Sequence, residues 1–415
     1  MIVNPGIRRF SGIKPALNLV FTGGESISSM ITFSRASGGT RVNSAGLIET
    51  LTTDQPRFDY DPVTLAPRGL LIEESRTNLI PTSNGSFTGG GGALTAGGTY
   101  NGVTFSRFSA AGGVLTHQCY SPSTAAALTG SVSYTNTALV KEVSGCQFVQ
   151  LGPSTVSVGD TTTYANFDIR NGTVGTKGAG TSASGMTHYG NGVWLIWMTF
   201  TTKAVPAIAT TCKVMCASSN SDAADPAFDS SGVFDAANYQ TELGAFPTSY
   251  IPTTTAAVTR AADVASMTGT NFSSWFNATE GTFVAGFDSA VTGNMPASAG
   301  IIGFGASARL VYLPTSAAVA KSYDGTTILH DSVPVTGGAK HKVSSGYTAG
   351  ASRSIVTDGG AVQTTATCAA PYTSGSELRI GAYDNTAGTI MSGHIQRITY
   401  FNKRLPDATL KALSA

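Results

Sequence analysis

The chain has 415 residues, of which 12% are charged and 49 are glycine, and its formal net charge is +1. Soluble proteins carry about 25% charged residues, and exposed helix faces use Glu, Lys and Arg, so this composition excludes a mainly helical protein. A hydrophobic content of 41% excludes general disorder. Because Lys and Arg form no cluster larger than a pair, nucleic acid is excluded as a partner. The sequence predicts an all-β fold.

The five cysteines are an odd number and lie far apart. We therefore expect small buried side chains in a reducing compartment rather than a disulfide framework. The spacing Cys212-x-x-x-Cys216 lacks a second Cys or His pair, which argues against structural zinc. The N-terminal residues lack an apolar core and no later run reaches about 18 apolar residues, so we expect neither a secretory leader nor membrane insertion.

Residues 1–80 are the most charged part of the chain and contain short strand-like pieces. The stretch 57–74 has two apolar runs around a turn that contains Pro62, which predicts a β-hairpin. The pieces at 31–35 and 46–50 are too short to enclose a core. We therefore expect 1–80 to be an attachment and oligomerisation segment that leans on a partner or on the following domain.

The composition changes after residue 80, where a run of four glycines at 89–92 marks a domain boundary. Alternating apolar residues predict half-buried antiparallel strands at 132–140, 146–150 and 165–169. The pair Asn171-Gly172 between apolar runs predicts a hairpin turn. Residues 193–200 are apolar on both faces, as in a strand that lies between two layers or at a subunit contact. We assign 81–265 to a first antiparallel β-sandwich of the jelly-roll type.

The stretch 246–263 reads as a last strand and an extended connector, because each proline holds its neighbour out of the helical region. Beyond it, apolar runs at the spacing of a second sandwich predict strands at 281–287, 309–313, 377–381 and 395–401. Residues 405–413 carry a proline near their start and Leu410 and Leu413 on one side, which predicts a terminal helix. We assign 266–415 to a second jelly roll.

Three parts of the chain resemble the surface proteins of tailed bacteriophages that carry jelly-roll modules. The first spans 33–79 and includes RFDYDPVT at 57–64 and GLLIEESRTNL at 69–79. The second is QTELGAFPTSYIPT at 240–253 with VTRAAD at 258–263, and it is similar to the closing strand of a carbohydrate-binding-module-like domain. The third, 393–413, is similar to the end of laminin-G-like or concanavalin-like modules.

This resemblance implies a virion surface protein of a tail fibre, a head fibre, a spike or a decoration type, assembled in the bacterial cytoplasm. It implies a homotrimer that contacts other virion proteins through residues 1–80 and the host envelope through its jelly rolls. We therefore expect a structural display protein that binds host surface polysaccharide. A purely architectural virion protein and a polysaccharide-depolymerising spike are the alternatives.

The sequence offers few groups for catalysis or metal binding. Glu73 and Glu74 are neighbours in a strand and point to opposite faces, which makes them a poor acid–base pair. The histidines are isolated and no Gly-x-Ser-x-Gly elbow accompanies them, so we predict no enzyme and no cofactor. Asp222 and Asp225 lie in a Ser- and Ala-rich loop, where turn formation is the first interpretation and a bound Ca²⁺ is the alternative.

Glycan binding requires exposed aromatic rings flanked by amide or carboxylate groups. The candidates for such a site are Tyr189, Asn191, Trp194, Trp197 and Trp275. Trp194 and Trp197 are three residues apart in one strand and therefore point to opposite faces, so at least one of them belongs to a core.

Overall fold

The computed structural model describes residues 13–84, 87–111, 117–154, 162–204, 209–226, 231–289, 299–304, 308–313, 319–369, 377–383 and 389–415. Antiparallel sheets dominate these residues, and helix is confined to two short segments among them. The predicted all-β class is confirmed, because a chain rich in Thr, Val, Tyr and Gly favours pleated strands and tight turns. Within the described residues, no helix is long and apolar enough to cross a membrane.

The strands fall into three consecutive groups along the chain. The first group is β1 Leu17–Val20, β2 Thr32–Ser34, β3 Gly39–Val42, β4 Ile48–Leu51, β5 Arg57–Tyr60, β6 Pro67–Ile72 and β7 Arg76–Asn78. The second group is β8 Thr88–Gly90, β9 Gly92–Tyr100, β10 Val103–Ala110, β11 Gln118–Tyr120, β12 Ser133–Ser144, β13 Phe148–Pro153, β14 Ala165–Asp168, β15 Thr173–Lys177, β16 Thr181–His188, β17 Val193–Thr201, β18 Cys212–Ala217 and β19 Val233–Leu243. The third group is β20 Val258–Arg260, β21 Val264–Thr268, β22 Glu280–Ser289, β23 Ala299–Phe304, β24 Ala308–Leu313, β25 Val319–Tyr323, β26 Ile328–Pro334, β27 Lys340–Thr348, β28 Ser352–Thr357, β29 Gln363–Thr365, β30 Glu377–Ile380 and β31 Gly393–Phe401.

The second group forms the central sandwich, which has two six-stranded sheets. One sheet has the order β16-β17-β12-β19-β10-β9, and the other has the order β15-β14-β13-β18-β11-β8. The facing sides of the two sheets bury a common core that includes Phe108, Val149, Phe167, Ile196 and Phe234. Alternation along each strand puts every second side chain into this core, which is the pattern that the sequence predicted.

The predicted hairpin at Asn171-Gly172 is confirmed. Strands β14 and β15 pair antiparallel on either side of it, and Gly172 has a φ of 71° in the turn. The Gly172 amide donates to the Asp168 carbonyl at 2.9 Å. Gly tolerates this left-handed conformation without steric cost, which is why the Asn-Gly pair marks the turn so clearly.

Strands of the first and third groups together form a C-terminal sandwich. Its larger sheet has the order β29-β28-β27-β22-β31-β6-β5, with β1 also paired to β31. Its second sheet has the order β2-β21-β30-β23-β24-β25-β26. The core between them combines side chains from both ends of the chain, among them Leu19, Phe58, Leu70, Phe283, Ile302 and Ile395.

The boundary drawn near residue 80 therefore separates strands that share sheets and a core. Residues 1–80 were expected to lean on a partner or on the following domain, and strands β1, β2, β5 and β6 of this segment instead complete the distant sandwich at 264–401. The physical reason is that strands of three to six residues bury little area alone, and they gain it by extending an existing sheet. Residues 1–12 of this segment lie outside the described residues. The attachment role of the segment stays a prediction.

Two helices accompany the strands in the described residues. Helix α1, Thr270–Ser273, follows β21 and was not predicted from the sequence. Helix α2, Asp407–Ser414, confirms the predicted terminal helix, with Pro406 before its first turn and Leu410 buried. Asp407 in that first turn is favourably placed because helix N-termini carry partial positive charge.

All five cysteines are buried and unpaired, which confirms the expectation of small core side chains. Four of them lie in the central core and Cys368 lies in the C-terminal core. Burial raises the pKa of the Cys119 thiol to about 12. A thiol that stays protonated is a poor nucleophile, so these side chains act in packing.

A buried histidine of β31 connects β5 with β22 inside the C-terminal sandwich. The His394 Nε2 atom lies 2.9 Å from Asp59 Oδ2, and its Nδ1 atom lies 2.7 Å from Asp288 Oδ1. The Arg68 guanidinium is 3.6 Å from the other Asp288 oxygen. Burial disfavours a charged imidazole here, but the Asp288 carboxylate outweighs it, and the pKa of His394 is raised above its ordinary value. Both ring nitrogens can then donate to carboxylates.

This arrangement predicts a stability that decreases toward alkaline pH. A histidine whose pKa is raised on folding stabilises the protein fully below its unfolded pKa of about 6.5, and this contribution is lost as pH rises through the folded value. We expect the thermal midpoint of the full chain to fall over that range, and to fall less in His394→Gln. Differential scanning fluorimetry from pH 6 upward measures this. The exposed His330→Gln is the control and should keep the wild-type decline; identical profiles for both variants would contradict the assignment.

Candidate functional site

The first group of charged residues lies where the N-terminal segment, the end of the central sandwich and the connector meet. We call Arg35, Arg57, Glu73, Arg260 and Asp263 the buried junction, since each is less than 5% exposed. Arg57 Nη1 is 2.7 Å from Glu73 Oε2, and Arg35 Nη1 is 3.1 Å from Asp263 Oδ1. Arg57 also pairs with Asp263, and Arg260 lies 3.5 Å from Glu73. The five side chains form one connected ion-pair network.

Glu73 is a carboxylate of the buried junction that also bonds to the segment after the central sandwich. The Ser249 amide donates to its Oε1 at 2.8 Å, and the Ser249 hydroxyl donates to its Oε2 at 2.6 Å. Burial alone would raise the pKa of Glu73, but the positive charges of Arg260 and Arg57 hold it well below its usual range. Glu73 thus ties the segment after the central sandwich to the end of β6.

A second layer of charge lies beside the buried junction. Arg76 Nη2 is 2.5 Å from Glu74 Oε1, and the Arg76 guanidinium stacks 4.6 Å from the centre of the Phe246 ring. A side chain at Gly244, where φ is 132°, would place its Cβ 1.4 Å from Arg76 Nη1. Glycine is therefore required at this position. Glu242 is buried nearby and accepts from the Thr248 amide at 2.7 Å.

These contacts explain why RFDYDPVT, GLLIEESRTNL, ELGAFPTSYIP and VTRAAD occur together in one chain. Each of the four contributes a charged or closely packed residue to the buried junction or to its second layer. Glu73 and Glu74 are both paired with arginine in structural ion pairs.

Breaking this network is expected to be costly. Arg57→Met leaves Glu73 and Asp263 without their main partner in a buried environment, and we expect the free energy of unfolding to fall by about 3–5 kcal/mol. Arg170→Met is the matched control, because Arg170 is 52% exposed in its pair with Glu142 and its loss should leave stability nearly unchanged. Urea unfolding followed by circular dichroism measures both. Equal effects would show that the buried junction does not hold the fold.

The second group of residues lies on the outer face of the central sandwich, defined as the side of the sheet β16-β17-β12-β19-β10-β9 that points away from the central core. Trp197 is half-buried on this face, and its neighbours in register are Gly185 and Thr137. A Cβ at Gly185 would lie 2.6 Å from the Trp197 ring, so the indole lies flat across β16. The ring therefore has one face backed by the strand.

Trp194 and Trp275 have structural surroundings. Trp194 packs against the central core and stacks on His188 with ring centres 4.4 Å apart. Trp275 is 8% exposed in the C-terminal core, and its Nε1 donates to the Asn271 carbonyl at 2.7 Å. The expectation that Trp194 and Trp197 point to opposite faces is confirmed.

Tyr189 and Asn191 lie at the tip of the β16–β17 hairpin. Tyr189 is half-buried and packs in a cluster with Ile48 of the N-terminal segment, and its carbonyl accepts from Asn101 Nδ2 at 2.6 Å. Asn191 is exposed with a φ of 53°, and its carbonyl accepts from the Lys141 ammonium. The structure thus brings two of the five candidates together, and it separates the three tryptophans from one another.

Asp222 and Asp225 have protein partners in their loop. Asp222 accepts from the Ser218 amide at 2.7 Å and from the Ser219 hydroxyl at 2.6 Å, and Asp225 pairs with Lys213. Burial acts to raise the pKa of Asp222, but the Ser219 and Ser218 hydrogen bonds lower it overall. Within the described part of the chain, no group of three or more His, Cys, Asp or Glu side chains is placed to hold a metal ion. Turn formation and an ion pair account for both carboxylates.

Sequence reasoning missed a charged group on the outer face. Arg107, Asp235, Lys141 and Tyr100 come from four different strands and converge there through the sheet pairing. Nothing in their spacing along the chain signals this convergence, because the hydrogen-bonded partners are up to 135 residues apart.

No family model matches the chain, and no curated protein matches it. Among solved structures, the CBM40 module of a Ruminococcus gnavus sialidase bound to α2,3-sialyllactose has a TM-score of 0.29 and 15% identity, over 35% of this chain and 88% of the module. NanB sialidase from Streptococcus pneumoniae has a TM-score of 0.29 and 13% identity, over 36% of this chain and 26% of that chain. Trypanosoma rangeli sialidase has a TM-score of 0.29 and 11% identity, over 77% of this chain and 62% of that chain. No function is transferred from these proteins to this one.

Proposed function

We propose that the protein is a non-catalytic structural component of a phage particle surface and that its central sandwich binds a host-surface glycan. The observation that supports binding is the half-buried Trp197 ring on the outer face, backed by Gly185 of the neighbouring strand. Sugar C–H groups pack on such a ring, while polar groups around it satisfy the sugar hydroxyls.

The display role draws on the resemblance to phage surface proteins and on the buried junction. Its ion pairs fix Arg35 and Arg57 of the N-terminal segment to Asp263 of the connector, 206 or more residues away. Such a joined pair of segments suits a protein that presents a binding face at a distance from the particle. We propose that it assembles as a homotrimer in the bacterial cytoplasm and is then exposed on the virion surface.

Attachment to other virion proteins is proposed to use exposed apolar residues of the N-terminal segment. Leu47, Val63 and Leu65 are more than 40% exposed and lie on two adjacent turns. Deletion of 1–80 would also remove β5 and β6 from the C-terminal sandwich, so it cannot separate attachment from folding. Substitution of these three residues by Ser tests attachment while leaving the sheets intact.

Two alternatives predict different results in simple assays. A purely architectural virion protein would not bind host cells, whereas the proposed protein, purified, binds them directly. A polysaccharide-depolymerising spike would release reducing ends from capsule or lipopolysaccharide of a susceptible host. Sustained release of reducing ends would replace the non-catalytic proposal with that enzyme.

The role of Trp197 gives a direct test. We expect Trp197→Ala to weaken glycan binding at least about tenfold, equivalent to about 1.4 kcal/mol, because the stacking ring is lost. Trp194→Ala, which removes a ring that packs against the central core, should instead lower the thermal midpoint. A glycan array and thermal unfolding measure the two effects. Unchanged glycan binding by a folded Trp197→Ala protein would remove this residue from the site.

A further inference from the structure

We propose that the outer face of the central sandwich holds an anion site, formed by Arg107 and Lys141 on either side of Asp235, that takes the carboxylate of an acidic sugar. This inference rests on the proposed glycan binding and adds the chemical class of the ligand. It is carried by a buried acid that orients a partly exposed arginine, with a second partly exposed cation nearby. We call Tyr100, Arg107, Lys141 and Asp235 the outer-face charge cluster.

Asp235 is the fixed centre of the outer-face charge cluster. It is fully buried, and its Oδ1 accepts from Arg107 Nε at 2.8 Å while its Oδ2 accepts from Arg107 Nη2 at 3.0 Å. Oδ2 also accepts from the Gly98 amide at 3.1 Å and from the Tyr100 hydroxyl at 3.2 Å. Four donors saturate this carboxylate, so it holds the Arg107 guanidinium in one orientation.

Arg107 keeps donor capacity toward solvent. Its side chain is 33% exposed, and its bidentate pair with Asp235 uses Nε and Nη2. That pair does not use the two N–H groups of Nη1, which can donate to an oxyanion. An arginine oriented by a buried acid is preorganised, and it loses little side-chain freedom when a ligand binds.

Lys141 adds a second cation on the other side of Asp235. In register, Asp235 lies between Arg107 on β10 and Lys141 on β12, which puts the two basic residues about 10 Å apart across three strands. The Lys141 ammonium lies 5.0 Å from the centre of the Tyr100 ring and donates to the Asn191 carbonyl. Two cations against one buried acid leave a net positive charge at this edge of the outer face.

Glycines in β9 permit this arrangement. A Cβ at Gly98 would lie 2.3 Å from the Tyr100 hydroxyl oxygen, and one at Gly97 would lie 2.8 Å from the Phe105 carbonyl oxygen. Side chains at these positions would push Tyr100 and β9 away from Asp235. Glycine at positions 97 and 98 therefore allows Tyr100 to lie against Asp235.

The chemistry of the cluster favours a carboxylated sugar over a neutral one. A carboxylate can accept hydrogen bonds from the Nη1 N–H groups of Arg107, and the nearby ammonium of Lys141 attracts it. Charge-assisted hydrogen bonds of this kind are about twice as strong as neutral ones. A neutral sugar offers only hydroxyls to the same groups. Sulfate and phosphate esters share the negative charge, so the binding test must separate them from carboxylates.

The test uses the full chain and three immobilised polymers: polygalacturonate, dextran sulfate and dextran. We expect binding to polygalacturonate that weakens with added salt, and at least about tenfold weaker binding in Lys141→Glu. Arg107→Lys keeps a partner for Asp235 but removes the Nη1 N–H groups, and it should also weaken binding. Arg107→Ala is unsuitable because it would leave a buried carboxylate unpaired.

Matched controls lie elsewhere on the central sandwich. Lys177 is exposed and donates to the Ser182 carbonyl, so Lys177→Glu makes the same charge change without touching the cluster. Arg170→Lys does the same for arginine, and both controls should bind like the wild type. Thermal unfolding confirms that each variant is folded.

The outcomes separate this inference from the function on which it rests. Binding to dextran that equals binding to polygalacturonate, or equal losses in Lys141→Glu and Lys177→Glu, overturns the anion site while glycan binding stands. Preference for dextran sulfate over polygalacturonate overturns the carboxylate assignment. Absence of binding to all three polymers and to host cells overturns both proposals.

Discussion

The ion pairs among Arg57, Glu73 and Asp263 are the interaction on which the rest of this structure depends. They join residues that are up to 206 positions apart, and all three side chains are buried. Taking charges out of water is unfavourable unless every charge is paired, so the network forms only when the N-terminal segment, the segment after the central sandwich and the connector are all in place. The buried junction therefore forms only when these three segments are correctly placed relative to one another.

The same constraint explains the architecture of the C-terminal sandwich. The N-terminal strands β1, β5 and β6 cannot bury enough area by themselves, and the C-terminal sheet offers them an edge and a shared core. Asp59 on β5 contacts His394 on β31. This is a second buried contact between charged groups, and it joins the N-terminal strands to the C-terminal sheet. The first and last parts of the chain therefore fold as one unit, while the central sandwich has sheets composed of its own strands.

The central sandwich uses charge differently from the buried junction. At the buried junction every cation faces an acid in the protein interior, whereas on the outer face Asp235 is buried and its basic neighbours are partly exposed. The buried Asp235 carboxylate already accepts four hydrogen bonds, so the N–H donors of its basic neighbours that it does not bind are left on the solvent side. Trp197 lies on the same face, and the proposed glycan recognition draws on this ring and on the two cations.

The sequence alone determined the all-β class, the hairpin at Asn171-Gly172, the terminal helix and the opposite faces of Trp194 and Trp197, because these depend on local turn chemistry and on the two-residue period of a strand. Only the tertiary structure decided that β1, β2, β5 and β6 complete a distant sandwich, that Glu73 is a buried ion-pair partner, and that Arg107, Lys141 and Asp235 meet on one face. Those facts depend on which strands become neighbours, and strand pairing over more than a hundred residues leaves no periodic signal in the chain.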